Sequence, residues 1–393
     1  QACVGARLEF NGWSAKDYML MPAAAYNGYR FEVRKMSYPP QLFDNNDLRI
    51  DSPTLITDVP RLNISSGASG IQQLTGDLAT PAVGFYAKEA GMGFWLLTEQ
   101  STSLGDSGIA FEENSERSRA WVELTAPGMR RDYKYSMCNT LEECSDRGAD
   151  FKEGDSAEIR FRVYFFKCSK IQQLFDYFTI IRKDMTGAVE LRHMLPFSTA
   201  HEIIERKYNS QNWKNELGYY SVSLFDEIIY DWQVGWVGGM IATYPLLLDG
   251  NDLSRKRALR NFDFLFSGGQ SPSGFLHGCS YKGKWYGDCF KDPAKPWHLI
   301  RKSSDALYQI IKQLMLMDKL EACQASSIHA KTEWLEGTRR LADAFVNIWR
   351  RYGQFGQFIN TSSGDIIIGG STSGGIAPAG LALAWQYFGD DAY

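Results

Sequence analysis

The sequence has few histidines, little excess charge of either sign, and no apolar run long enough to cross a bilayer. Five histidines in 393 residues leave the seven cysteines without the companions that a zinc site needs. Neither a metal nor another cofactor is expected. A formal net charge of −4 gives no basic footprint, which argues against nucleic acid as a partner. The glycine/serine stretch Gly369-Gly370-Ser371-Thr372-Ser373-Gly374-Gly375 lacks the lysine of a phosphate-binding P-loop. The chain starts at Gln1-Ala2-Cys3 with neither an initiator Met nor an apolar leader. The expectation is a secreted or periplasmic chain from which a signal has been removed.

Aromatic residues are abundant. They make up 14% of the chain, with 11 Trp, 20 Tyr and 23 Phe, and serve as core filler or as ligand platforms. The segment Asp231-Trp232-Gln233-Val234-Gly235-Trp236-Val237-Gly238-Gly239 sets two indoles, a carboxylate and an amide among three glycines. Aromatic faces beside a carboxylate suit a sugar. The apolar run at 240–248 then reads as a buried helix. Cys138/Cys144 and Cys279/Cys289 have local disulfide spacing, and reduced structural thiols fit equally well. Asn63-Ile64-Ser65 and Asn360-Thr361-Ser362 are sequons, meaningful only in a eukaryotic secretory setting.

Residues 1–168 alternate apolar and polar positions between turn-rich loops, as in Ala157-Glu158-Ile159-Arg160-Phe161-Arg162-Val163, and predict an antiparallel β-sandwich. Ile171, Leu174, Phe175, Phe178 and Ile181 recur at helical spacing, so 169–188 reads as a connector helix. From 189 to 393 the chain reads as helices near 199–209, 232–249, 252–267, 297–319, 328–352 and 376–388. Apolar helices alternate with arginine-bearing amphipathic ones, the pattern of inner and outer helices in antiparallel hairpins wound into a ring. The fold class is therefore α+β multidomain, a β-sandwich followed by an (α/α) toroid. Six hairpins of roughly 50 residues each would need about 300 residues. Fewer follow the connector, so the expectation is an incomplete ring, with this chain a fragment.

This order of elements resembles the (α/α)6-toroid, or six-hairpin, glycoside hydrolases and phosphorylases. The motifs Met21-Pro22-Ala23-Ala24-Ala25-Tyr26-Asn27-Gly28-Tyr29-Arg30-Phe31, 232–239, Ser271-Pro272-Ser273-Gly274-Phe275 and 299–307 resemble a secreted bacterial β-glucuronidase-type group, glycoside hydrolase family 154. The resemblance implies an exo-acting hydrolase with an oligosaccharide or polysaccharide substrate containing uronic acid. A polysaccharide lyase, a glycoside phosphorylase and a non-catalytic glycan-binding protein are the alternatives. The motifs do not identify a catalytic pair.

The chemistry must then come from the heads of the inner helices, where free N–H groups favour polar or anionic ligands. Glycoside hydrolysis uses two carboxylates, and the candidates are Asp231, Glu227 and Asp305. Asp231 serves equally as a helix cap. Arg301 and Lys302 sit at a helix start, where cations oppose the dipole. A substrate carboxylate would account for them, as would an ion pair from Arg301 to Asp305 four residues on. Trp232, Gln233, Trp236, His277, His298 and Ser373 complete the expected binding residues. Trp285 and Asp288 join them from the polar, aromatic insert 274–296, which reads as a lid or a ligand-free hairpin.

Overall fold

The computed structural model describes residues 1–30, 34–35, 49–51, 55–56, 60–131, 133–135, 141–187, 195–222, 231–236, 238–288, 296–323 and 328–393. The chain divides into two units. One comprises Gln1–Tyr38 and Ile56–Arg192, the other Pro39–Leu55 and His193–Tyr393.

The first unit is built on two antiparallel sheets. One contains β1 (Val4–Asn11), and the other contains β2 (Tyr18–Met21) and β3 (Ala25–Tyr26). Further strands are β4 (Ser69–Leu74), β5 (Ala82–Ala87), β6 (Met92–Thr98), β7 (Gly108–Glu113), β8 (Arg119–Ala126) and β9 (Phe161–Lys167). The sheet orders are β1-β8-β7-β4 and β9-β6-β5-β2-β3. Side chains alternate across a strand with a period of two. Along β6, Phe94 and Leu96 therefore join Phe85, Phe111 and Val122 between the sheets. Trp95 and Leu97 point the other way, onto helix α1 (Ile171–Ile181). The Trp95 indole stacks on Phe178 at 4.5 Å and donates to the Leu174 carbonyl at 3.0 Å. The helix read as a connector is thus a covering layer of this unit.

The second unit carries helices α2 (Phe197–Lys207), α3 (Met240–Asp249), α4 (Asp252–Gly268), α5 (Ile300–Ala322), α6 (Thr332–Tyr352) and α7 (Ala377–Phe388). Helix α5 packs against α3, α6 and α7, and buries Ile300, Leu307, Ile310, Ile311, Leu314 and Met317 completely. Helix α7 carries no charge and α3 only its terminal Asp249, whereas α6 keeps Arg339, Arg340 and Arg350 in water. Asn251 caps α4, its Oδ1 accepting from Ser254 N at 3.0 Å. Asn251→Ala should cost about 1 kcal/mol. An unchanged urea midpoint would remove the cap from the account.

Two helix starts differ from the sequence reading. The helix expected from 232 begins at Met240, because Gly235 and Gly238 adopt φ of 71° and 79°. The one expected from 297 begins at Ile300, because Trp297–Leu299 pairs as a strand with Phe358–Asn360.

Candidate active site

The glycine-rich segment before α3 is folded onto the head of α5. Trp232–Gln233 forms a short strand against Cys279 and Ser280, and the chain then turns at Gly235. A Cβ on Gly235 would lie 2.3 Å from the Lys302 carbonyl and 2.8 Å from Ala306 N. Only glycine fits there. The close approach brings Trp236 Nε1 to 2.8 Å from Asp305 Oδ2, to which it donates. Arg301 lies one turn earlier on α5, with Nε 3.6 Å from the same oxygen and its guanidinium 5.7 Å from the Trp236 ring centroid. The Arg301 side chain is 62% exposed and that of Asp305 19%.

The loop before α7 closes the other side. Gly369 N donates to Arg49 O at 3.0 Å, Gln354 donates to Ile50 O at 2.9 Å, and Gly370 N donates back to Gln354 Oε1 at 2.9 Å. Arg49 and Ile50 thus stitch this loop in place. Arg301, Asp305, Ser371, Thr372, Ser373, Gly375 and Ile376 together line a cavity of about 440 Å³. It offers one carboxylate, one guanidinium and several hydroxyls, with the indole N–H of Trp236 holding the carboxylate from the side.

Beneath this surface lies a buried charge network. A helix turns 100° per residue, so Lys302 points inward where Arg301 points out. Its ammonium ion-pairs with Asp288, and both side chains are almost wholly buried. Asp288 Oδ2 also accepts from Leu299 N at 2.9 Å and lies 3.0 Å from His298 Nδ1. His298 Nε2 lies 2.7 Å from Ser303 Oγ. Burial alone would raise the pKa of Asp288. The Lys302 charge and the His298 hydrogen bond outweigh it and hold the carboxyl well below the usual range. Asp288, His298 and Ser303 follow the order of a nucleophile triad, but Ser303 is fully buried. The network fixes the start of α5. Lys302, His298 and Asp288, expected to meet substrate, are spent on one another.

The remaining expected residues are dispersed. Asp231 is 7% exposed, accepts from the Tyr219 and Ser221 hydroxyls, and precedes α3 by too many residues to cap it. Glu227 lies outside the described residues. Trp232 is fully buried and donates to Asn261 Oδ1 at 2.9 Å. Trp285 stacks on Phe264 at 4.6 Å and meets Trp232 edge-on at 5.5 Å, so this aromatic of the insert packs onto protein. Gln233 is half-buried in the strand pairing. His277 lies over Trp285, its pKa lowered by burial and by the neighbouring His298. Cys279 and Cys144 carry free thiols, whereas Cys138 and Cys289 lie outside the described residues. Burial and the Asp288 charge push the Cys279 thiol up to about 12.

The structure therefore brings Trp236, Arg301, Asp305 and Ser373 together. Ser371, Thr372 and Ile376 were missed as lining residues, although their loop stood out by composition. Among the described residues no group of three or more His, Cys, Asp or Glu could hold a metal ion, and no helix is long and apolar enough to cross a membrane.

No family model and no curated protein sequence matches the chain. Among solved structures there is a remote similarity to a cellobiose 2-epimerase from Bacillus thermoamylovorans, at a TM-score of 0.32 and 10% identity. The alignment covers 47% of this chain and 46% of that one, so the chain spans about half the length of the structure it matches.

Proposed function

We propose that the cavity at the head of α5 binds a glycan bearing a uronic acid, and that the chain is an exo-acting glycoside hydrolase of the toroid class. The observation that carries this reading is that Arg301 and Asp305 open together onto one polar cavity. At a helix start a guanidinium opposes the dipole, and the 3.6 Å ion pair with Asp305 leaves that of Arg301 62% exposed and open to a second anionic partner. The carboxylate of a uronic acid supplies one, because a guanidinium grips a carboxylate through two parallel hydrogen bonds. The Ser371, Thr372 and Ser373 hydroxyls suit a sugar's remaining oxygens.

Asp305 is the base in this reading. Its contacts with the Trp236 N–H and with Arg301 suit a base, which takes a proton from the attacking water while a second carboxyl, as acid, protonates the glycosidic oxygen and the C–O bond breaks. Water supplies the new hydroxyl at the anomeric carbon and returns a proton to a carboxylate. Hydrolysis requires a second carboxylate, and the spacing of the pair decides between inversion and retention. Glu227 is the candidate for that role. A secreted or periplasmic setting belongs to the same proposal.

Asp305→Asn should lower kcat on uronic-acid oligosaccharides by about 100-fold or more. Arg301→Ala should raise KM for uronate substrates while leaving neutral ones nearly unchanged. Full turnover by Asp305→Asn would remove Asp305 from the chemistry. Equal losses on both substrate classes would remove the carboxylate grip. A product with a new carbon–carbon double bond would identify a lyase instead.

A further inference from the structure

Among the described residues, five that are not glycine have positive φ, and three of them lie within one short stretch. Ala23 is at 66°, Asn27 at 55° and Tyr29 at 49°, with Gly28 between the last two at 59°. Asn27, Gly28 and Tyr29 thus form a left-handed turn directly after β3. For L-residues this conformation is disfavoured by contact between Cβ and the following carbonyl, and a run of three is rare. Such strain persists only where the surroundings enforce it, and it gathers at ligand-binding positions.

The surroundings do enforce it. Gly28 rests on Leu62, whose side chain a Cβ there would meet at 2.7 Å, and Leu62 N donates to Gly28 O at 2.7 Å. Arg30, the next residue after the turn, grips the fully buried Glu113 with both Nη atoms, one of them at 2.7 Å. Ser69 Oγ and Trp13 Nε1 also donate to Glu113, at 2.7 and 3.0 Å. Arg117, itself at φ 53°, places its Nε 3.3 Å from the same carboxylate. A fourth positive-φ residue therefore joins the support under the turn. Burial would raise the Glu113 pKa, but the hydrogen bonds from Arg30, Ser69 and Trp13 hold it below its ordinary value.

What this base displays is aromatic and polar. Tyr26 is 43% exposed and Asn27 is exposed. The Tyr26 and Tyr29 rings lie 6.2 Å apart at 59°. Tyr18 lies close by on β2. Its hydroxyl pKa is raised by burial and then by the neighbouring Tyr26 and Tyr29. A plain connection needs neither the strain nor a buried ion pair beneath it.

We propose that this turn is a sugar-contact site, in which the exposed Tyr26 ring stacks on the apolar face of a pyranose and the Asn27 amide bonds two adjacent sugar hydroxyls. Tyrosine presents an apolar face with a polar tip, and an asparagine amide both donates and accepts, which matches a neutral sugar ring. Every residue of this site belongs to the first unit.

The test uses the full chain with glucuronic acid and cellobiose as probes, read by saturation-transfer NMR and titration calorimetry. Tyr26→Ala removes the platform. Asn27→Gly removes the amide and keeps the left-handed turn. Each should weaken probe binding by about threefold to tenfold. Far-UV circular dichroism should stay unchanged, because neither residue belongs to the core of the unit. Wild-type affinity in both variants, or no binding of either probe to the parent chain, overturns the proposal. If Tyr26→Ala binds normally while Arg301→Ala loses glucuronic acid, this site fails and the α5 cavity stands. If Asp305→Asn turns over normally while Tyr26→Ala weakens binding, the reverse holds.

Discussion

A Lys302→Met variant will be about 3–5 kcal/mol less stable than the parent, the cost of leaving a buried charge without its partner. Methionine fills nearly the same volume, so the effect isolates the charge. The orphan is Asp288, which is 1% exposed and keeps, among the described residues, His298 and Leu299 N as hydrogen-bond partners. Urea unfolding reads the loss. Adding Asp288→Asn to Lys302→Met should recover part of it, since removing both charges is less damaging than removing one. A single variant within about 0.5 kcal/mol of the parent, as for an ordinary surface change, would show that the pair does not hold the head of α5. The pH dependence has a definite sign. Asp288 is depressed in the folded state, so its contribution is fully present above the unfolded pKa of about 3.9. It is lost as pH falls from there through the folded value. Without Lys302 the carboxyl titrates higher, so acid unfolding of Lys302→Met should begin at a higher pH.

Gly235→Ala will be nearly as costly, and will reach the site as well. A left-handed alanine costs about 1–2 kcal/mol. Crowding a packed contact adds about 1–3 kcal/mol more. Both apply here, because the obstructing atoms are backbone atoms of α5, which cannot rotate aside. The turn must then lift from α5 and carry Trp236 away from Asp305, so turnover should fall along with stability. Gly353→Ala is the matched control. Gly353 has φ 63° with nothing within 4 Å of its would-be Cβ, so it registers the backbone term alone. Equal losses at the two positions would mean that the contact with α5 does not crowd a side chain.

The sandwich strands and helices α4, α5 and α6 were legible because their apolar residues recur with periods of two or close to four. The fate of Lys302 was not. It neighbours Arg301 in sequence, which suggested a shared role, but 100° of helical rotation separates them. Its true partner, Asp288, sits on a loop whose position only the fold reveals. Asp231 was misplaced for a similar reason. An acidic residue before an apolar run resembles a cap, yet two positive-φ glycines delay the helix and leave the carboxylate to Tyr219 and Ser221. Asp305 and Arg301 were readable, since four-residue spacing on a helix puts them on one face. The Tyr26–Tyr29 pair was visible as a motif, but the ion pair that supports it spans 83 positions.

The stitch between Arg49–Ile50 and the 369–375 loop bears on how this molecule is made. The bond from Gln354 to the Ile50 carbonyl spans 304 positions. During synthesis, residues 49 and 50 leave the ribosome long before their partners exist. The wall of the cavity formed by Ser371, Thr372 and Ser373 therefore cannot be locked until translation has passed it. Contacts this distant in sequence bear the largest loop-closure cost and form slowly. Helices α3, α4, α5 and α6 are made before this loop and rest on nearer neighbours, so the cavity at the head of α5 gains its wall only after they exist.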